Sequence, residues 1–195
     1  MLWLLRLAYV VIELFVVAAT DGYHLVDDTV SDLGTAECGP GFCSPRHELM
    51  NGTFIGIGLL LAVGAVLLAP RLGRLVTVLL VVAGLSSVAT GYVPVDQDPS
   101  LHALVAAPLF VCQPLALLLL GRTLRPTNPR VAAALVVTGL MAAAGGAGFI
   151  LGVAGNGVLE RLALWPVLGA FAAAGVVLAR QTAQIATARA EWPQC

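Results

Sequence analysis

Lysine is absent from this chain of 195 residues, and charged residues of every kind are scarce. Only 11% of the residues are charged, whereas water-soluble globular domains carry about a quarter. All ten basic residues are arginines, they form no run, and the net charge is -1. The sequence therefore lacks both the polar surface of an ordinary soluble domain and the basic patch that nucleic-acid binding requires.

Apolar residues predominate in the chain. They make up 59% of the chain, with a mean hydropathy of +0.94. Six apolar stretches are each long enough, as helices, to cross roughly 30 Å of hydrocarbon. We therefore predict one all-α transmembrane domain over residues 1–195. The predicted spans are approximately 2–20, 51–69, 76–92, 101–120, 131–152 and 162–179. A cleaved signal peptide is an alternative for the first stretch, because Val17 and Ala19 fit the small-residue cleavage pattern.

The arginines predict the orientation of this bundle. With six spans, seven arginines fall on one side, while only Arg46 and Arg161 fall on the other. Short cytoplasmic loops retain positive charge, so both termini are predicted to be cytoplasmic, in a plasma (inner) membrane. The outer side then receives all three histidines and the loop 21–50, which holds six of the eleven acidic residues.

Two cysteines in this outer loop, Cys38 and Cys43, bracket the turn-forming residues 39–42. Outside the cell a disulfide can persist, and a tight glycine and proline turn can bring the two sulfurs together. We predict a Cys38–Cys43 disulfide. Zinc is the alternative for a cysteine pair, although this spacing is not that of a zinc knuckle. Cys195 is predicted to lie in the reducing cytoplasm.

Several sequence motifs resemble one family of membrane proteins. They are DDTVSDLG (27–34), C-x4-CSPRHELMN (38–51), YVPVDQDPSLHALVA (92–106) and GVLERLALWP (157–166). These motifs resemble those of the family known as domain of unknown function 998, over nearly the whole chain. The arginine-only basic complement is typical of a GC-rich, actinobacterial-type member. A fainter similarity links the chain to the Frag1, DRAM and Sfk1 group, some of which act in lipid organisation. The family residues correspond here to Ser31, Asp32, Leu33, Gly34, Asn51, Asp96, His102, Glu160 and Arg161.

A polar pocket at the outer mouth of the bundle is our main hypothesis. We expect Asp32, His102 and Glu160 to converge there, with Ser31 as a further catalytic candidate if a histidine serves as its base. The alternative for Asp32 is a cap on its own turn. Glu160 and Arg161 are predicted to straddle a helix start, and the structural alternative for Glu160 is a salt bridge to Arg46 or a helix cap. The further candidates for ligand binding are His24, His47, Asn51, Asp96, Asp98 and Arg161.

No cofactor is predicted, but a divalent metal held by His24, His47 and His102 is an alternative that rests on clustering alone. Glu13 lies about halfway along the first span, where an acid is costly and is a functional candidate by default. Its alternative is a hydrogen bond to Thr90, Gln113 or Thr138. Glycine pairs 52/56 and 148/152 are predicted to permit close helix packing.

Three functions remain open at this point. The first is a pocket for a lipid headgroup or small polar ligand, with hydrolase- or transferase-like chemistry as an option. The second is a small transporter, which the apolar midplane disfavours because transporters need polar or broken helices there. The third is a non-catalytic accessory subunit of a membrane complex. The expected partners are membrane lipids, a second copy of the chain or another membrane protein, and no nucleic acid.

Overall fold

A computed structural model describes residues 2–38 and 43–191, with side chains as far as residue 181. Within these ranges the chain is helical and contains no β-strand. The helices are α1 (Leu2–Leu5), α2 (Ala8–Ala18), α3 (His47–Leu67), α4 (Ala69–Leu72), α5 (Arg74–Tyr92), α6 (Pro99–Leu124), α7 (Pro129–Ile150) and α8 (Asn156–Glu191). A single 3-10 helix, Ser31–Gly34, lies in the loop between α2 and α3. The predicted turn 39–42 and Cys195 lie outside the described residues.

Five helices are long and apolar enough to cross a membrane: α3, α5, α6, α7 and the part of α8 from Asn156 to Gln181. They contain 19 to 26 residues. At about 1.5 Å per residue, that is enough to span the hydrocarbon layer. The all-α membrane class is therefore confirmed, and each of these five helices overlaps one predicted span.

The first predicted span is formed differently. Residues 2–20 contain two short helices, α1 and α2, joined by a turn at Arg6 and Leu7. Neither is long enough to cross a membrane alone, since α2 has 11 residues. Hydrogen bonds of the 3-10 type, from Leu7 N–H to the Leu4 carbonyl and from Tyr9 N–H to the Arg6 carbonyl, carry the chain through the turn.

Helix starts differ from the predictions in two places that matter for the site. α8 begins at Asn156, after Gly155 adopts a φ of 79° that only glycine tolerates readily. Glu160 and Arg161 therefore lie in the second turn of α8, and the prediction that they straddle a helix start is wrong. α3 begins at His47, so the outer loop ends earlier than predicted.

The helices pack in a closed ring. α3 lies along α5, α5 along α6, α6 along α7 and α7 along α8, while α8 packs against α1. α3 completes the ring by contacting both α1 and α2. The centre is filled by large apolar side chains without exposure, among them Leu61, Leu80, Leu117, Leu135 and Phe171.

Glycines permit the closest of these contacts. A Cβ added at Gly58 of α3 would lie 2.5 Å from the Gly84 carbonyl oxygen of α5, and one added at Gly84 would lie 2.6 Å from the Gly58 oxygen. The predicted pair, Gly52 and Gly56, faces open space instead. The prediction for that pair is wrong, because α3 packs against α5 through Gly58, two residues after Gly56.

Helix α6 contains Pro108 and Pro114, yet it runs unbroken from Pro99 to Leu124. Near Pro108, the Ser86 hydroxyl of α5 accepts the Leu109 N–H at 3.1 Å and donates to the Val105 carbonyl. These are the two backbone groups that would bond to each other in a regular helix. A side chain of the neighbouring helix thus replaces a backbone hydrogen bond at this turn.

Candidate functional site

The 3-10 helix of the outer loop is pressed onto the ends of the long helices. Leu33 and Val30 have no exposed surface, and the Ser44 hydroxyl donates to the Leu33 carbonyl at 2.6 Å. The Asn51 amide at the start of α3 donates to the Gly34 carbonyl at 2.8 Å. A Cβ at residue 34 would lie 2.4 Å from Asn51 Oδ1, so a side chain there would displace the Asn51 amide. Asn51, a predicted ligand residue, thus holds the loop.

Ser31, at the start of this 3-10 helix, joins two predicted site residues. Its Oγ lies 3.0 Å from His102 Nε2 and 3.2 Å from Glu160 Oε1. His102 Nδ1 lies 2.6 Å from the Val93 carbonyl oxygen, which can only accept, so Nδ1 carries a proton. In the neutral imidazole, Nε2 is then an acceptor facing the serine hydroxyl. His102 and Glu160 therefore meet through Ser31.

Asp32 does not join this group directly. Its carboxylate accepts the Thr29 N–H at 2.7 Å, while the Thr29 hydroxyl accepts the Asp32 N–H at 3.1 Å. This is the local capping arrangement given as the alternative. Glu160 receives a backbone donor in its place, the Val30 N–H at 2.5 Å. No hydrogen bond joins Asp32 to His102 or Glu160 in the described residues, so the convergence of these three groups, directly or through one water, stays a prediction.

Glu13 is fully buried and forms an ion pair with Arg161. Arg161 Nε lies 2.8 Å from Glu13 Oε1, and Trp165 Nε1 donates to Glu13 Oε2 at 2.8 Å. The alternative contacts predicted for these acids are not observed in the described residues: Glu13 bonds neither Thr90, Gln113 nor Thr138, and Glu160 forms no salt bridge with Arg46. The sequence did contain one indication that Arg161 has a structural role: it is one of only two arginines predicted to lie on the outer side, against the usual distribution of positive charge.

The remaining N–H groups of Arg161 hold the outer loop. Nη1 donates to the carbonyls of Leu25, Asp28 and Gly157 at 2.9 to 3.0 Å, and Nη2 donates to the Tyr23 hydroxyl. Tyr23 in turn donates toward the Thr29 carbonyl at 2.7 Å. Burial raises the pKa of Tyr23, although Arg161 acts in the opposite direction. One guanidinium thus joins α2, the loop and α8.

The other predicted ligand residues have structural contacts at the outer surface. Asp98 caps α6 by accepting the Leu101 N–H at 2.9 Å. Asp96 accepts the N–H groups of Ala36 and Glu37 at 3.1 and 2.8 Å. Slight burial acts to raise the pKa of Asp96, but these donors hold it below its usual value.

The histidines are not gathered into a cluster. His47 Nδ1 lies 2.9 Å from the Ser44 carbonyl, and His24 is exposed. Among the residues that the structure describes, no group of three or more His, Cys, Asp or Glu side chains could hold a metal ion. The predicted disulfide between Cys38 and Cys43 is confirmed, with the two Cα atoms 4.3 Å apart.

A narrow cavity extends inward from Ser31 and Glu160. The space open to the centres of water molecules is about 40 Å³, room for a few waters. Apolar side chains line its middle, and Arg6, Tyr9 and Gln113 line its inner part. The sequence does not predict which residues line this cavity, because apolar periodicity does not indicate which helices face each other.

Arg6 is 2% exposed and has no carboxylate partner within the described residues. Its Nη2 donates to Gln113 Oε1 at 3.3 Å and its Cζ lies 5.8 Å from the Phe171 ring centroid, but Nε and Nη1 have no hydrogen-bond acceptor.

Comparisons with known proteins identify the family. No curated protein and no solved structure matches the chain. The family model described as protein of unknown function (DUF998) matches residues 6–188, which includes every side chain of the candidate site. The similarity to the Frag1, DRAM and Sfk1 group stays a prediction. The chain therefore belongs to the DUF998 family of proteins of unknown function.

Proposed function

We propose that this protein is a six-span plasma-membrane protein that binds a lipid headgroup or small polar ligand from the outer face. The ligand would enter the cavity beneath the outer loop and contact Ser31, His102 and Glu160. The observation that carries the proposal is the Ser31 hydroxyl at the cavity wall, 3.0 Å from His102 Nε2 and 3.2 Å from Glu160 Oε1. One hydroxyl hydrogen serves two acceptors, so the group has spare capacity for a ligand donor.

The proposal adds one span to the five long helices, and that span is formed by residues 2–18 at the start of the chain. Although α1 and α2 are separate, their buried residues follow one helical spacing: Trp3, Arg6, Tyr9, Glu13 and Val16. Leu5, Val11 and Phe15, on the opposite side, are 53 to 70% exposed, as expected of side chains that face lipid. An even number of spans agrees with the arginine distribution, which favours cytoplasmic termini.

Binding can be tested by thermal unfolding of the purified protein in a neutral detergent. Dihexanoyl lipids with choline, ethanolamine, glycerol or inositol headgroups serve as probes. We expect at least one headgroup to raise Tm of the wild type, because a ligand that binds only the folded state stabilises it. The shift should be lost in Glu160→Gln and kept in Asp27→Asn, which alters an exposed acid of the same loop. A shift of equal size in Glu160→Gln, or none in the wild type, would contradict the proposal.

Acyl transfer or hydrolysis is a second candidate, which the tautomer of His102 favours. With Nδ1 bonded to the Val93 carbonyl, Nε2 can accept the Ser31 proton as Oγ attacks a carbonyl carbon. The same proton would then pass to the leaving group, and the acyl group would stay on Ser31 until water or another acceptor removed it.

A fluorophosphonate probe tests this chemistry, since it forms a covalent bond with an activated serine. We expect labelling of Ser31 in the wild type and none in Ser31→Ala or His102→Ala. Ser100→Ala, which alters an exposed serine near His102, should still be labelled. Absence of labelling at Ser31 in the folded wild type would contradict acyl transfer or hydrolysis and leave ligand binding as the proposed function.

A further inference from the structure

We infer that the inner end of the cavity is a binding subsite for an oxyanion, a carboxylate or phosphate, held by Arg6. The inference rests on the proposed function, in that the ligand reaches Arg6 through the same cavity. It deepens that function by assigning the ligand a chemical class. Neither the family match nor the predictions from the sequence point to Arg6.

The first support is the unsatisfied guanidinium. Arg6 is almost fully buried, lines the cavity, and presents two nitrogens, Nε and Nη1, without an acceptor. Nε and Nη1 point to different edges of the guanidinium, and each is a charged N–H donor that can give a short, strong hydrogen bond to a carboxylate or phosphate oxygen. A buried cation in a membrane interior requires a counter-charge. Within the described part of the chain, no carboxylate pairs with it.

The second support is that the nearby groups position this cation without neutralising it. The Gln113 side-chain oxygen and the face of Phe171 fix the guanidinium at one edge and one face. Both partners are uncharged. Glu13, the acid closest in sequence, is already occupied by Arg161 and Trp165. The positive charge is therefore held in place and left available to a ligand.

The third support is the polarity of the cavity. Its outer end is bounded by Glu160 and Ser31, its middle by Phe54, Leu164 and Leu168, and its inner end by Arg6. An anion is repelled by the Glu160 end and attracted by the Arg6 end. A bare phosphate that reaches the inner end suits this order, and so does an acid with an apolar tail, for which the cavity of about 40 Å³ must widen.

Thermal unfolding with three probes tests the subsite and separates its sources. Inorganic phosphate represents a free oxyanion, octanoate an organic acid, and dihexanoyl phosphatidate a lipid phosphate, while octanol is the uncharged control. We expect at least one anion to raise Tm of the wild type by several degrees and octanol to have no such effect. Arg6→Gln should lose at least nine-tenths of the shift, and Arg125→Gln, at an exposed arginine, should keep it. An unchanged shift in Arg6→Gln, or no anion effect in the wild type, would overturn the inference.

The same measurement separates this inference from the proposed function. In Glu160→Gln the anion shift should persist or grow, because a repelling charge is removed, whereas the headgroup shift should disappear. An anion shift lost in Arg6→Gln alone therefore supports the subsite even if the headgroup proposal fails.

If Arg6→Gln does not fold, the wild type alone can decide. An octanoate carrying a diazirine beside its carboxylate should label peptides that contain Arg6 or Gln113. Labels confined to the lipid-facing surface would overturn the inference.

Discussion

At the scale of single residues, the most consequential contact is the buried pair Glu13 and Arg161. Glu13 has no exposed surface, and its two oxygens are taken by Arg161 and Trp165. Removal of one partner from such a pair leaves a buried charge without compensation, which costs more than the pair contributes when intact.

We therefore expect Glu13→Gln to lower the free energy of unfolding by about 3–5 kcal/mol. Glu48→Gln, which alters an exposed acid of the same outer region, should change it by less than about 0.5 kcal/mol. Denaturant unfolding in mixed micelles measures both. A loss below about 1 kcal/mol in Glu13→Gln would contradict the ion pair.

The sequence alone predicted some residues and not others, for a physical reason. Cys38 and Cys43 are five positions apart in the sequence, so the short connection alone limits their distance. Asp32 has a local partner too, Thr29, and the sequence offered that cap as an alternative. Glu13 and Arg161 are separated by 148 residues. Their contact depends on which helices become neighbours, and apolar periodicity carries no such information.

At the scale of helices, length and apolar content predicted the five long elements because a membrane requires both. Their ends were less predictable, since a helix continues past the hydrocarbon as long as backbone partners exist. α8 begins six residues before its predicted span, at a turn that Gly155 permits. That extension places Glu160 and Arg161 within the helix, where they form hydrogen bonds with backbone groups of the outer loop.

Contact between α3 and α5 gives a prediction at this scale. Gly58→Ala should destabilise the protein by about 1–3 kcal/mol, because the new methyl group would meet the backbone of α5 at 2.5 Å. Gly56→Ala on the same helix faces open space, and it should be neutral or stabilising by up to about 1 kcal/mol through helix propensity. Thermal unfolding of both variants checks the difference, and equal effects would contradict the packed face.

Asp96 gives a second prediction, on pH. Its folded-state pKa lies below the ordinary value of 3.8, so the carboxylate stabilises the folded loop at higher pH. That stabilisation should be fully present above about pH 5 and lost as the pH falls through the lowered pKa. Asp96→Asn should therefore reduce Tm at pH 6 and narrow its difference from the wild type at pH 3. Asp27→Asn, an exposed acid in the same loop, is the control. A constant difference across this range would contradict the assigned contact.

At the scale of the whole molecule, the placement of charge predicts the orientation. Asp27 and Arg125 are both exposed and lie in connections at opposite ends of the bundle in the six-span arrangement. Single cysteines at these positions can be labelled in intact cells, with Cys112 and Cys195 changed to serine. We expect a membrane-impermeant maleimide to label Asp27→Cys directly and Arg125→Cys only after permeabilisation. Labelling of both without permeabilisation would contradict the orientation.

The closed ring of helices was not predictable from the sequence. Short connections indicate which helices are antiparallel neighbours, as for α3 and α5, but nothing local brings α8 against α1. That closure brings Arg6 against Gln113 and Phe171, and Arg6 and Gln113 both line the cavity. The cavity therefore forms only when the helices assemble, and no motif in the sequence predicts it.

The long separation of Glu13 from Arg161 also constrains biosynthesis. A ribosome that adds 5–20 residues per second needs roughly 7 to 30 seconds to make the chain between them. During that interval the first segment carries its acid without the arginine that later neutralises it. The ion pair therefore forms only after α8 has been synthesised, so α1 and α2 acquire their contacts with α8 long after they themselves are made.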